Sequence, residues 1–221
     1  MAVLILVVLN TFILLEFLDK KKKEKFEEID VERINVVEKS GKIDIVFANK
    51  SSLPSPVTNG RVLYDPKDRG PGILIFNDDG EESGGYVFGN WGSHFSMDQY
   101  KQDQVLYMQV INDEETKKTA TAGYWVAPQS DKYTSDVIDR MLDSINAIPD
   151  KQRSEQAKNK FLETIDSHNK VFVGKNRHDE TGLFLFDKKT NPRLRAYVDT
   201  TGKAKIDYLD ETGKVIYSLP N

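Results

Sequence analysis

Four short stretches carry the same turn chemistry, and together they commit this chain to antiparallel hairpins. Glu38-Lys39-Ser40-Gly41, Asn77-Asp78-Asp79-Gly80, Asp199-Thr200-Thr201-Gly202 and Asp210-Glu211-Thr212-Gly213 each place an acceptor side chain three residues ahead of a glycine. An acceptor at the first position and Gly at the fourth suit a type I turn closed by a residue at φ > 0. β-rich runs flank each copy, and several alternate apolar with polar residues, the period of a half-buried strand. The spacing of the four is irregular. They read either as related hairpins or as one favourable turn reused independently, and hairpins follow in both cases.

Strands fall around these turns. Ile34–Lys50 reads as one hairpin, and Gly72–Phe76 with Tyr86–Phe88 as another. Val105–Ile111 pairs with Thr119–Val126 across the polar stretch Asn112–Lys118. Val171–Gly174 is a short strand. Leu183–Phe186, Leu194–Val198, Ala204–Leu209 and Val215–Leu219 then form a meander. In that meander Leu194, Ala196 and Val198 share one face, as do Ile206 with Tyr208 and Val215 with Tyr217 and Leu219. Arg193, Arg195, Lys203 and Lys205 lie opposite and read as the solvent side. Ser51–Gly72, rich in Pro, Gly, Ser and Asp, reads as a surface loop.

One region departs from period two. Thr134 or Ser135 can cap a helix bearing Val137, Ile138, Met141, Leu142 and Ile145 on one side. Ile148-Pro149 ends it, and Asp150 caps a second helix carrying Ala157, Phe161, Leu162 and Ile165. This helical insertion, at about residues 134–168, is expected either to lie on the sheet or to dock a partner. The fold class is therefore mainly β: antiparallel hairpins in a meander with a two-helix insertion, plus an N-terminal transmembrane helix.

That last element comes from Ala2–Leu18, apolar but for Asn10, Thr11 and Glu16. About 17 to 20 apolar residues suffice to cross the hydrocarbon of a bilayer at 1.5 Å per residue. Residues 1–19 are thus expected to be a single-pass anchor, 20–33 a polar juxtamembrane linker, and 34–221 a β-rich soluble domain. A secretory signal peptide fits less well: no Lys or Arg precedes the run, and no small-x-small site follows it. An apolar helix buried in a partner protein is the third possibility. Lys20–Lys23 and Lys25 directly follow the run, which by the positive-inside rule places the domain in the cytoplasm; the lysines can equally hold the helix end at anionic head groups.

Composition excludes several chemistries. The chain of 221 residues has no cysteine, so disulfides, thiolate catalysis, zinc–cysteine sites and Fe–S clusters are ruled out. Its net charge is −4, and the one basic run lacks interleaved aromatics, so no nucleic acid is expected as a partner. No cofactor is expected. The Asp-x-x-Gly turns lack the alternating ligands and later Glu of a calcium loop. His94, His168 and His178 lack helical metal spacing.

The densest cluster of unusual side chains is residues 84–104. Here Trp91, His94, Asp98, Tyr100 and Asp103 make a candidate ligand or partner surface. The competing reading has the aromatics filling the core while the polar groups satisfy buried backbone. No catalytic residue is assigned, because Ser93 and Ser96 flank His94 along one strand and sequence neighbours point to opposite faces.

Three segments, FEEIDVERINVVEKSGKIDIVFANK (26–50), IFNDDGEESGGYVFG (75–89) and HFSMDQYKQDQV (94–105), resemble an uncharacterised bacterial family of N-terminally membrane-anchored, β-hairpin-rich proteins. The resemblance implies a bacterial, membrane-tethered protein and carries over no catalytic residue. The function expected is a membrane-tethered structural or binding module. It would contact the lipid bilayer through residues 2–18, and dock a protein partner or form a homo-oligomer. A membrane-anchored hydrolase of envelope polymers, with His94, Asp98 and Asp103 as its residues, is the alternative.

Overall fold

The computed structural model describes residues 25–55, 69–129, 133–162, 164 and 169–220, and the backbone of 57–58 and 61–62. The apolar run 2–18, the lysines at 20–23, Ile165 and His168 lie outside the described residues. Residues from Glu32 onward form one compact unit.

That unit is built on a single twelve-stranded sheet, antiparallel throughout, in which every strand neighbours the next one along the chain. The strands are β1 (Arg33–Val37), β2 (Ile43–Ala48), β5 (Gly72–Phe76), β6 (Glu82–Gly89), β7 (Gly92–Asp98), β8 (Gln104–Asn112), β9 (Thr119–Val126), β10 (Val171–Lys175), β11 (Thr181–Phe186), β12 (Pro192–Val198), β13 (Ala204–Leu209) and β14 (Val215–Leu219). A two-residue pair, β3 (Val57–Thr58) with β4 (Arg61–Val62), stands apart in the long loop after β2. Two helices, α1 (Ser135–Asn146) and α2 (Lys151–Leu162), interrupt the chain between β9 and β10, which nevertheless pair directly.

The turns explain the meander. All four acceptor-x-x-Gly sequences form the same loop, with glycine φ of +89°, +81°, +83° and +82°. In each, the first residue's amide donates to the fifth residue's carbonyl, and the fourth residue's amide donates back to the first carbonyl; at Asp199 both bonds are 2.9 Å. In three of the four the acceptor side chain does the remaining work, while in the first the Lys42 amide donates to Ser40 Oγ at 3.4 Å. Asp199 Oδ1 receives the amides of Thr201 and Lys203 at 2.9 and 3.0 Å, and Asp210 Oδ1 those of Thr212 and Lys214 at 2.8 and 3.0 Å. Asn77 does the same for Asp79 and Glu81. Two further copies escape a search for glycine: Asn176–Asp179 and Asp187–Thr190 make the same bonds, but place Asp179 and Thr190 at φ +59° and +63°.

A β-branched residue is a steric outlier in that region, at a cost of about 1–2 kcal/mol, while glycine gives back about 0.5–1 kcal/mol of unfolded-state entropy. Thr190→Gly is therefore expected to stabilise the protein by about 1 kcal/mol. Urea unfolding of the variant beside Thr200→Gly checks this, since Thr200 has no positive φ to relieve. A lower midpoint for Thr190→Gly would contradict the turn geometry.

Pairing register sorts side chains onto two faces. On one face a row of directly paired residues runs Asn35, Val46, Leu74, Gly85, Ser96, Tyr107 and on through Trp125, Phe172, Phe184, Arg195, Asp207, Ser218, one residue per strand. The core sits here. Val46 and Leu74 are fully buried, capped by Leu53 from the loop after β2. Tyr107, Trp125, Phe172 and Phe184 stack in succession with centroids 5.0, 4.6 and 5.4 Å apart, and Tyr197 follows at 6.2 Å. Such ring pairs contribute about 0.5–1.5 kcal/mol each beyond their buried area. Gly123 is required beneath this ladder: a Cβ there would come within 2.3 Å of the Phe172 ring.

On the opposite face the row is Ile34, Phe47, Ile73, Tyr86, Phe95, Met108, then Tyr124, Val173, Leu183, Ala196, Ile206, Leu219. A parallel row from Val36 through Ile45, Ile75, Gly84, Met97 and Leu106 to Tyr217 also contains no charged residue. Apart from Gly84 none of these residues is buried. The solvent-side reading of the C-terminal cations needs a matching correction. Arg195 points to the packed face and bonds the buried carboxylate of Asp207 at 2.5 Å, while Leu194 and Ala196 face outward with the apolar rows. Aromatic residues stand on both faces, but only on this one do the rings of Tyr107, Trp125, Phe172 and Phe184 stack in an unbroken ladder across neighbouring strands, and that ladder lies inward.

The helices pack on each other through Ile145 and Phe161, with Ile138, Leu142, Ala157 and Tyr133 around them. Thr134 is the N-cap residue of α1, but its hydroxyl bonds the Asp136 carboxylate rather than a backbone amide. Asp150 caps α2 as expected, receiving the Arg153 amide at 3.1 Å. The hairpin is moored to the β7–β8 turn, where the Ser135 amide bonds the Lys101 carbonyl at 2.9 Å and the Gln102 side chain bonds the Tyr133 carbonyl.

Candidate functional site

β7 runs from Gly92 to Asp98, so His94, Ser96 and Asp98 project from one face, the packed one. Asp98 and Asp103 flank the β7–β8 turn, and Glu82 comes from β6, the strand beside β7. Burial drives the Asp98 carboxyl up to about 7, the charges of Asp103 and Glu82 add to the rise, and a Ser96 hydrogen bond and Arg69 oppose it. Arg69, from the loop before β5, is ion-paired with Glu82. The Oδ1 of Asp98 is buried and meets no donor among the described residues. His94 Nε2 lies 2.6 Å from the Gln104 side-chain oxygen, and its ring centroid 5.4 Å from that of Tyr107, at the end of the aromatic ladder. Tyr107 in turn donates to Asn169 at 3.0 Å.

Of the five residues singled out in the sequence, Asp98 and Asp103 are brought together here, and His94 stands further along the same face of β7, against Gln104 and Tyr107. Asp103 Oδ1 accepts the Gln104 amide at 2.8 Å, while its carbonyl receives the Gln99 amide at 3.2 Å and closes the turn. Tyr100 sits at the tip of that turn, exposed, and donates to Asp79 of the β5–β6 turn at 2.6 Å. Trp91 is at the other end of β7, in the β6–β7 turn; at 3.2–3.4 Å per residue that is about 20 Å from Asp98. The surface imagined from sequence is thus two separate places. Arg69, Glu82 and Gln104 escaped the sequence reading, because nothing in the loop marks Arg69 as the partner of a residue thirteen positions later.

The arrangement can take up or release a proton near neutral pH at Asp98. Removing the Asp98 charge tests it. A carboxyl whose folded value is raised loses stability as pH climbs from its unfolded value near 4 to about 7, because the unfolded chain ionises first. Asp98→Asn should therefore match the parent near pH 4 and exceed it above pH 7, by on the order of 1–2 kcal/mol after allowing for solvent screening. Thermal unfolding at pH 4.5 and 8 measures the gap; a gap independent of pH would contradict the burial of this carboxyl.

Among the described residues no group of three or more His, Asp or Glu side chains is placed to hold a metal ion. A shallow groove of about 450 Å³ opens elsewhere, between β11 and β14, lined by Thr181, Ala196, Val198, Ala204, Ile206 and Leu219. Among the described residues no helix is long and apolar enough to cross a membrane. No family model matches this chain, and comparison with curated proteins finds no significant match.

Proposed function

We propose that this protein is a structural or binding module, held at a membrane by residues 2–18, which works by presenting the outward apolar face of its sheet to another macromolecule. One observation carries the reading. Two rows of paired apolar residues cross all twelve strands, and twelve of their side chains are 37–53 % exposed. Faces of this kind amount to on the order of 1,000 Å², against the few hundred Å² that an ordinary monomer leaves open, and such excess marks an interaction surface. The test is cross-linking in intact membranes followed by extraction. The parent chain should appear in a heavier species, Met97→Lys should lose it, and Tyr100→Ala on the turn tip should keep it. A chain recovered only at its own mass in all three would sink the reading, and recovery of the parent in the soluble fraction would remove the tether.

A second reading, the anchored hydrolase of envelope polymers, draws on the Asp98 carboxyl. A general acid needs a group that still holds its proton near working pH, and burial gives Asp98 that property. Hydrolysis of cell-envelope polymer that survives in Asp98→Asn, or is absent from the parent, would dispose of it.

A further inference from the structure

Resting on the docking role just proposed, we infer that the occupant of the apolar face is a second copy of this chain, packed sheet on sheet about a two-fold axis. Area is the first argument. An exposed apolar surface on the order of 1,000 Å² exceeds the ~800 Å² per partner that a stable protein interface buries. Charge is the second. The two apolar rows hold no ionisable group but tyrosine, so laying one face on its own copy buries no carboxylate or ammonium, and no like charges meet. Periodicity is the third. The rows repeat at every strand, ~4.8 Å apart, so identical faces interdigitate at the ~10 Å separation and roughly 30° angle of an aligned sandwich.

The chain's own candidate cover is spent elsewhere. The α1–α2 hairpin turns Ile145 and Phe161 toward each other, not toward the sheet. The sheet strands are five to nine residues long, and most fall short of the 9–11 residues of a membrane-spanning strand.

A two-fold contact brings a residue close to its own copy only near the axis, and that gives the test. β8 is sixth in the order of twelve, next to the middle of the sheet, and Met108 is the most exposed side chain of its row at 53 %. Because the chain has no cysteine, a single Met108→Cys can be cross-linked without interference. In the purified full-length chain, a short bismaleimide should convert Met108→Cys to a covalent dimer. Thr200→Cys, in the β12–β13 turn, should stay monomeric. Sedimentation equilibrium in density-matched detergent should give twice the chain mass for the parent. Met108→Lys should raise the dimer dissociation constant by on the order of 100-fold, since each dimer would bury two new charges. Met108→Lys should also keep the parent's far-ultraviolet circular dichroism, which separates a lost contact from a lost fold.

Three results overturn the inference. A monomer whose fluorophore at Met108→Cys is quenched by spin-labelled lipid tails would assign the face to lipid. A monomer whose fluorophore sits in water until another protein is added would reject the second copy, yet leave the docking role standing. A monomer whose fluorophore stays in water under every condition would end both.

Discussion

Replacing Asp207 with Ala is expected to cost about 3–5 kcal/mol of unfolding free energy, the loss seen when one partner of a buried ion pair is removed. Asp207 is 4 % exposed, and three groups converge on it: Arg195 at 2.5 Å, the Tyr197 hydroxyl at 2.9 Å and the Ser218 hydroxyl at 2.7 Å. It links β12, β13 and β14, so its removal leaves a half-buried guanidinium without its carboxylate and loosens the sheet edge. Burial works against its charge, but the hydrogen bonds from Ser218, Tyr197 and Arg195 outweigh that, and its acidity lies below the ordinary carboxylate range. The sign follows. A carboxylate with a depressed folded value contributes stability above its unfolded value near 4 and loses it as pH falls through the folded one. Asp207→Asn should therefore be less stable than the parent at pH 7, and the gap should close on acidification toward pH 2. Guanidinium unfolding at both pH values decides it; a gap that widens in acid would mean that the group is not held ionised in the fold.

Trp125→Ala should cost about as much, 3–5 kcal/mol by the measure of other buried aromatic deletions. The ring is 9 % exposed and stacks between Tyr107 and Phe172, so its loss breaks two ring contacts and opens a hole in the middle of the ladder. Trp91→Ala, in a turn and 37 % exposed, should cost well under 1 kcal/mol, as substitutions away from packed features do. These are the only two tryptophans in the chain, so Trp91→Phe leaves Trp125 as the sole fluorescence reporter of the ladder. Equal losses for the two alanine variants would contradict the assignment of inner and outer positions.

The meander itself was legible in the sequence. Acceptor-x-x-Gly fixes a loop whose backbone bonds demand a hairpin, and a hairpin makes neighbours in sequence neighbours in space. Asp150 as a cap and the apolar stripes carrying Ile145 and Phe161 were legible for similarly local reasons; that the two stripes would pack on each other was not. The turns at Asn176 and Asp187 were not, because the residue at positive φ is Asp179 or Thr190 and no glycine announces it. Nor was the association of Asp98 with Glu82 and Arg69, which depends on pairing across strands. Trp91 and His94, three positions apart, looked like one site, but the strand that begins between them carries them apart.

Alternation along a strand divides its side chains into two sets, and this sequence determined both sets for nearly every strand. It left open which set would be inside, because both are rich in apolar groups and both carry aromatics: Phe47, Tyr86, Phe95 and Tyr124 in the row of Ile34, and Tyr107, Phe172 and Phe184 in the row of Trp125. Tertiary structure decided it. Stacking rings from five adjacent strands over glycine at 123 and 182 required one register across the whole sheet, and a register is a property of all the strands at once. The same choice turned Arg195 inward onto Asp207 and left the rows from Ile34 to Leu219 facing out.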